Sequence, residues 1–131
     1  GLTGCECALS LSKQGKNVTL VDMIDEQSFG SGGAKFNQVA LMGLLNDNHV
    51  KCIGNVKLVS NNNQLGFEHN GQSMDLAYDH VVLSLGVRPN PEVLSTFEDC
   101  ANEVIYIGDC NTRIGTLYNA VHTAHEAASV L

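Results

Sequence analysis

The sequence predicts an α/β fold, a helix-wound parallel sheet that carries a small antiparallel β-ribbon. Three observations predict it. The chain opens on Gly1-Leu-Thr-Gly4 and runs straight into helical periodicity; a short β-branched-rich run follows and ends in an acid; and the middle of the chain turns to period-two alternation around Asn70-Gly71. Helix, strand, helix, ribbon, strand is the order of half a doubly wound unit, in which parallel strands need helical crossovers.

Each element has its own signal. Cys5 to Gln14 forms one helix, with Cys5, Ala8 and Leu9 on one stripe and Gly15 placed as its C-terminal cap. Asn17 to Val21 is a short strand that ends at Asp22. After the glycine-rich loop Phe29-Gly-Ser-Gly-Gly33, Phe36, Val39, Ala40, Gly43 and Leu44 recur at helical spacing and predict a second helix ending near Asn46. From Val50 the period moves toward two. Val56 and Leu58 alternate, Asn61-Asn-Asn63 interrupts, Leu65 to Glu68 resumes, and Asn70-Gly71 marks a hairpin turn, so this stretch is the antiparallel ribbon. His80-Val-Val-Leu-Ser-Leu85 reads as a buried strand stopped by Gly86. Arg88-Pro-Asn-Pro91 is an irregular crossing, because neither a helix interior nor a central strand accepts its prolines. A short helical stretch to Phe97, a strand from Val104 to Ile107 and a closing helix from about Leu117 complete the chain.

Length and composition bound what such a fold does. At 131 residues there is room for one domain with a core or for a piece of a larger protein, and the chain is read as a piece. Fourteen acids against seven bases argue against nucleic-acid and anionic-membrane partners, which need cationic patches. No apolar run reaches the ~18 residues of a membrane span, and no signal-peptide start is present. Five cysteines, an odd number without C-x-x-C spacing, point to a reducing, cytoplasmic setting. Cys5 and Cys7 fall on different faces of their helix, which disfavours a redox pair. Asn17-Val-Thr19 matches a glycosylation acceptor, but in an intracellular strand the match is an accident.

The chemistry concentrates at the start. Gly1 and Gly4 fit the last two glycines of a G-x-G-x-x-G turn, the second for backbone approach to a pyrophosphate and the third for helix–strand packing. The first glycine and the strand that feeds it are absent from the chain, so the predicted Rossmann-like sheet lacks its first, central strand. Asp22 stands 18 positions after Gly4 (22 − 4), close to the ~20 at which an acid meets the adenosine ribose hydroxyls. A carboxylate there accepts hydroxyl hydrogen bonds from NAD and repels the 2′-phosphate of NADP. Met23-Ile-Asp-Glu26 brings no arginine for that phosphate, so NAD(H) is favoured over NADP(H). The plainer alternative is a strand end with a solvated acid.

Other tempting residues carry less. His122 and His125 lie one helical turn apart, but no third ligand is spaced for a metal, and none is predicted. Cys110 reads as a small buried side chain as well as a reactive one. Arg88 suits a carboxylate pair at the crossing or a cofactor phosphate.

Leu85-Gly-Val-Arg-Pro-Asn90 followed by Val104-Ile-Tyr-Ile-Gly-Asp-Cys110 resembles the paired signatures of two-dinucleotide flavoprotein reductases of the pyridine nucleotide-disulfide oxidoreductase superfamily. The tail, Gly115-Thr-Leu-Tyr-Asn-Ala-Val-His122, is most similar to the C-terminal region of the NADH:flavin oxidoreductases with an old-yellow-enzyme barrel, the group of 2,4-dienoyl-CoA reductases, enoate reductases and trimethylamine dehydrogenase. The resemblance covers essentially the whole chain. It implies an NAD(P)-binding domain, truncated at its N-terminus, over residues 1–88, and the C-terminal part of an FAD-binding domain over 89–131.

By the same resemblance, Gly1, Leu2, Thr3 and Gly4 lie under the NAD(H) pyrophosphate, Asp22 with Met23 beside it meets the adenosine ribose, and Gly86 lets the nicotinamide-side backbone pass close. Asp109, after Gly108, accepts a hydrogen bond from the ribityl chain of FAD in the intact parent. The flavin mononucleotide, the iron–sulfur cluster and the substrate barrel belong to missing parts, so no residue here is catalytic and the isolated chain is not expected to turn over. The partners implied are the dinucleotide and the remainder of the parent flavoenzyme. The parent would pass hydride from NADH to FAD. The other function implied, by analogy with trimethylamine dehydrogenase, is a non-catalytic ADP-binding module.

Overall fold

The computed structural model describes residues 1–61, 64–111 and 116–130. Its contacts divide the chain into two compact units, Gly1–Leu85 and Gly86–Leu131. The fold is mixed α/β, with a parallel two-stranded sheet and a separate antiparallel three-stranded one, both in the first unit.

In the first unit α1 spans Leu2–Lys13 and α2 spans Lys35–Asp47. Helix α1 starts three residues before the predicted Cys5, because Gly1 serves as its N-cap and the glycine turn is itself the first helical turn. Both helices stop in the same way. Gly15, at φ +79°, donates its N–H to the Ser12 carbonyl while Lys16 donates to Leu11, which satisfies two of the last carbonyls of α1. At the end of α2 His49 takes the left-handed place, at φ +57°, with His49 donating to Asn46 and Val50 to Leu45. Val50 and Leu45 are both buried, the apolar contact that accompanies this kind of stop.

Between the helices lies β1 (Thr19–Val21), which pairs in parallel with β2 (Lys51–Ile53) through Thr19–Lys51, Leu20–Cys52 and Val21–Ile53. Cys5 and Ala8 of α1 pack with Phe29, Leu45 and Val50 to make the core, and Leu9, Val18, Leu20, Leu41, Met42 and Cys52 close around it. The buried face of α2 is not the one built on Phe36 and Val39, which are exposed; Gln38, Leu41 and Leu45 turn inward instead. Burial of the Gln38 amide is compensated in full. Its Nε2 donates to the Gln27 and Phe29 carbonyls at 3.0 and 2.7 Å, and its Oε1 accepts from Lys35 Nζ at 2.8 Å.

The antiparallel sheet is β3 (Val56–Asn61), β4 (Gln64–His69) and β5 (Gln72–Met74), in that order. Asn70 and Gly71 both have positive φ, as the predicted hairpin turn requires, and they set His69 opposite Gln72. Of the predicted interruption at Asn61-Asn-Asn63, Asn61 ends β3, and residues 62 and 63 lie outside the described residues. Val56 and Phe67 are buried, and Phe67 meets Tyr78 edge to face, with ring centroids 6.1 Å apart.

Two predicted strands do not form. Residues 80–85 form no strand, with Val82, Leu83 and Leu85 more than 60% exposed, and 104–107 likewise joins no sheet. A strand exists only beside another row of N–H and C=O groups, and among the described residues no such row flanks either segment. In the second unit, Asn90 caps the short helix α3 (Pro91–Ser95), its side chain accepting from the Glu92 and Val93 N–H groups with Pro91 at the first helical position. Helix α4 (Leu117–Ala128) closes the chain where it was expected to begin.

Two substitutions test this fold by chemical unfolding. His49→Gly, which relieves a side chain from a left-handed position, is expected to stabilise the chain by about 1 kcal/mol. Gly54→Ala is expected to destabilise it by about 1–3 kcal/mol, because a Cβ there would sit 2.6 Å from the Glu26 nitrogen and 2.7 Å from the Ile24 carbonyl oxygen, both backbone atoms.

Candidate functional site

The first group of predicted residues comes together at one corner of the first unit. Gly1 caps α1 without a side-chain hydrogen bond, and Cys5 is the first residue to donate within the helix, to the Gly1 carbonyl at 3.2 Å. The N–H groups of Leu2, Thr3 and Gly4 therefore have no acceptor inside the helix, and the positive end of the helix dipole adds to their pull on an anion. A Cβ at Gly1 would meet nothing within 4 Å, so the ground in front of this turn is open. Gly4 is the opposite case: it is buried, and a Cβ there would lie 3.3 Å from Ser84 Oγ and 3.9 Å from Leu20 Cδ1.

Asp22 stands immediately after β1, beside the same turn. Its Oδ2 accepts from the terminal ammonium of Gly1 at 2.8 Å, and its Oδ1 from the Ile24 N–H at 3.4 Å. Partial burial alone would raise the carboxyl pKa. The Gly1 ammonium and the Ile24 and Met23 N–H groups outweigh it, so the group titrates below its ordinary value and is a carboxylate at neutral pH. The Met23 side chain projects into solvent next to it.

Gly86 opens the second unit at φ +77°, with open space where a Cβ would be. In that unit Gly108–Cys110 forms a single 3-10 turn facing the start of α4. Gly108 is left-handed, at φ +57°, and Asp109 is exposed beside it. Ile107, Gly108, Asp109, Thr116, Leu117 and Ala120 line an open concavity of about 380 Å³. Thr116 caps α4 by accepting from the Asn119 N–H at 3.1 Å. Thr123, one turn further on, accepts from the Gly108 N–H at 2.9 Å and donates to the Asn119 carbonyl at 2.8 Å. Nothing in the predicted site included Thr123; its only sequence signal is a β-branched hydroxyl in the middle of an alanine-containing helix, where it is a weak helix former.

The remaining candidates fall away from both groups. Burial raises the pKa of the Cys5 and Cys52 thiols, which makes them poor thiolates, and all five cysteines are free. Cys110 is exposed rather than buried. His122 stacks on Tyr118 with ring centroids 4.0 Å apart, and no group of three His, Cys, Asp or Glu side chains gathers among the described residues. Arg88 makes no ion pair among them. No described helix is long and apolar enough to cross a membrane.

The chain is 30% identical to the bilirubin reductase of Mediterraneibacter gnavus, over all of its own length and 20% of that protein. It is 28% identical to the cinnamate reductase of Clostridium sporogenes, over 98% of its length and 19% of that protein, and 27% identical to the dihydrolipoyl dehydrogenase of Mycoplasma pneumoniae, over 90% and 26%. The chain thus spans about a fifth to a quarter of the curated relatives it matches. Its fold is that of part of a 2-naphthoyl-CoA reductase solved with 2-naphthoyl-CoA, with a TM-score of 0.72 over 93% of this chain and 18% of that one, at 23% identity. Residues 1–124 match the family model described as pyridine nucleotide-disulphide oxidoreductase, and the chain belongs to that family.

Proposed function

We propose that this chain is the NAD(H)-binding portion, with the C-terminal part of the FAD-binding domain, of a larger flavin-dependent oxidoreductase. The observation that carries the reading is the corner at Gly1: three N–H groups without helical acceptors and an ionised carboxylate, Asp22, 2.8 Å from the Gly1 nitrogen. Pyridine nucleotide and flavin are the cofactors this family implies in general, and the residues present fit the first of them. Leu2, Thr3 and Gly4 hold the pyrophosphate, the bare Gly1 leaves it room, and Asp22 takes the adenosine ribose hydroxyls in place of the terminal ammonium, with Met23 flanking it. A carboxylate in that position favours NAD(H) over NADP(H).

On this reading residues 1–88 serve the pyridine nucleotide and 89–131 the flavin. Gly86 lets the backbone pass the nicotinamide, and Gly108 sets the turn from which Asp109 accepts a hydrogen bond of the ribityl chain. When bound, the nicotinamide supplies a hydride and FAD takes it up; this chain contributes position and charge and no catalytic residue. The parent belongs to the group with an old-yellow-enzyme-like barrel, where the flavin mononucleotide and iron–sulfur cluster would reside. Relatives named for bilirubin and cinnamate, both conjugated unsaturated compounds, support an unsaturated acyl or similar substrate for the parent. The free cysteines suit a cytoplasmic setting.

Calorimetric titration with NADH, NADPH and ADP tests the reading. NADH is expected to bind tighter than the other two, and Asp22→Ala to weaken NADH about tenfold or more while narrowing its lead over NADPH. Equal affinity for NADH and ADP would replace it with the ADP-binding module. A second expectation concerns pH. Because the folded pKa of Asp22 is depressed, its contribution to stability is complete above the unfolded carboxylate range and is lost as pH falls through the folded value. An NMR titration of the Asp22 carboxyl carbon is expected to show it ionising below the ordinary carboxyl range.

A further inference from the structure

The 3-10 turn Gly108–Cys110 has a first N–H with no acceptor in the turn, and its cap residue, Ile107, has no side chain able to accept it. Gly108 is itself buried, so that donor has to be matched. The match comes from another element. Thr123 of α4 gives its hydroxyl proton to the Asn119 carbonyl at 2.8 Å, with a second, longer approach to Ala120 at 3.3 Å, which leaves an oxygen lone pair for the Gly108 N–H at 2.9 Å. Asn119 is also the residue whose N–H is capped by Thr116. One residue of α4 thus ties the helix cap and the Gly108 turn together, and Ala120 leaves a close seat for Gly108 between them: a Cβ there would already be 3.5 Å from the Ala120 methyl. Asp109 rides on this turn at the rim of the open concavity, and its carboxylate has no hydrogen-bond partner among the described residues.

We infer that Thr123 is a positioning residue: through the Gly108 N–H it holds the left-handed turn that presents Asp109 to a polyhydroxyl chain of a flavin nucleotide. The inference rests on the flavin-side role of Asp109 proposed above. Thr123 acts through Gly108 and need not touch the ligand. The change of one atom group separates this from a packing role, because valine keeps the shape of threonine and removes the acceptor.

The experiment has two arms. In the isolated chain, amide hydrogen exchange at Gly108 is expected to accelerate at least tenfold in Thr123→Val and to remain near wild type in Thr123→Ser, whose hydroxyl is retained. In the parent flavoenzyme, Thr123→Val is expected to raise the dissociation constant for FAD about tenfold and to shift the flavin absorbance band, with Thr123→Ser restoring both. Should Thr123→Val not fold, Thr123→Ala takes its place in both arms. Unchanged Gly108 exchange in the variant without a hydroxyl, or unchanged FAD affinity and spectrum, overturns the positioning role. Asp109→Ala tells that failure from the other: if it weakens FAD while Thr123→Val does not, only the role of Thr123 is lost, and if neither variant affects FAD, the flavin-side reading of Asp109 falls with it.

Discussion

A helix can lie within backbone distance of its neighbours only where it offers no side chain, and Gly4 supplies that place in the first turn of α1. Ser84 and Leu20 occupy the space that a larger residue would need. The next inward positions are small as well, Cys5 and Ala8, so the helix stays close over its first two turns while Phe29, Leu45 and Val50 fill the volume behind it. The direction of the unmatched N–H groups follows from this packing. They are aimed by the core, and the charge that gathers in front of them is a by-product of how tightly the helix seats.

Asp22 occupies the corresponding place on the sheet side. Its own N–H donates to the Ile53 carbonyl at 3.2 Å, and its carbonyl accepts from Val56 at 2.9 Å, so the residue joins the parallel pair to the ribbon through its main chain. Asn55 donates to Ile24 just beyond, and Glu26 reaches back to the Gly54 N–H at 3.1 Å. The carboxylate therefore projects from a backbone held on both sides, and little freedom remains to be lost when it takes a partner.

Much of this was legible in the residues. Gly15 announced the end of α1 because few residues tolerate a left-handed conformation, and Asn70-Gly71 announced the hairpin for the same reason. Gly1, Gly4 and Asp22 could be placed from spacing alone, since the turn, the helix and the strand between them are short and regular. What could not be read was whatever depends on a second element. The apolar runs 80–85 and 104–107 have strand composition but form no ladder, because composition says nothing of whether a neighbouring row exists. The inward face of α2 was not legible for a related reason: Gln38 goes inside because carbonyls of the preceding loop wait for its amide, a match that hydrophobic periodicity does not register. Thr123 is the same kind of case, a residue whose value lies in a donor fifteen positions away.

The unpaired stretch from Val81 to Val87 has a consequence for the behaviour of the chain in solution. Seven residues, five of them Val or Leu and none charged or proline, stand largely exposed with their backbone groups in no ladder among the described residues. Such a run offers its edge to an identical copy as readily as to a native neighbour. The net charge of −7 opposes that encounter at low ionic strength and ceases to do so once salt screens it. Colloidal behaviour is thus set by one short segment against the field of the whole molecule, and added salt weakens the repulsion between copies.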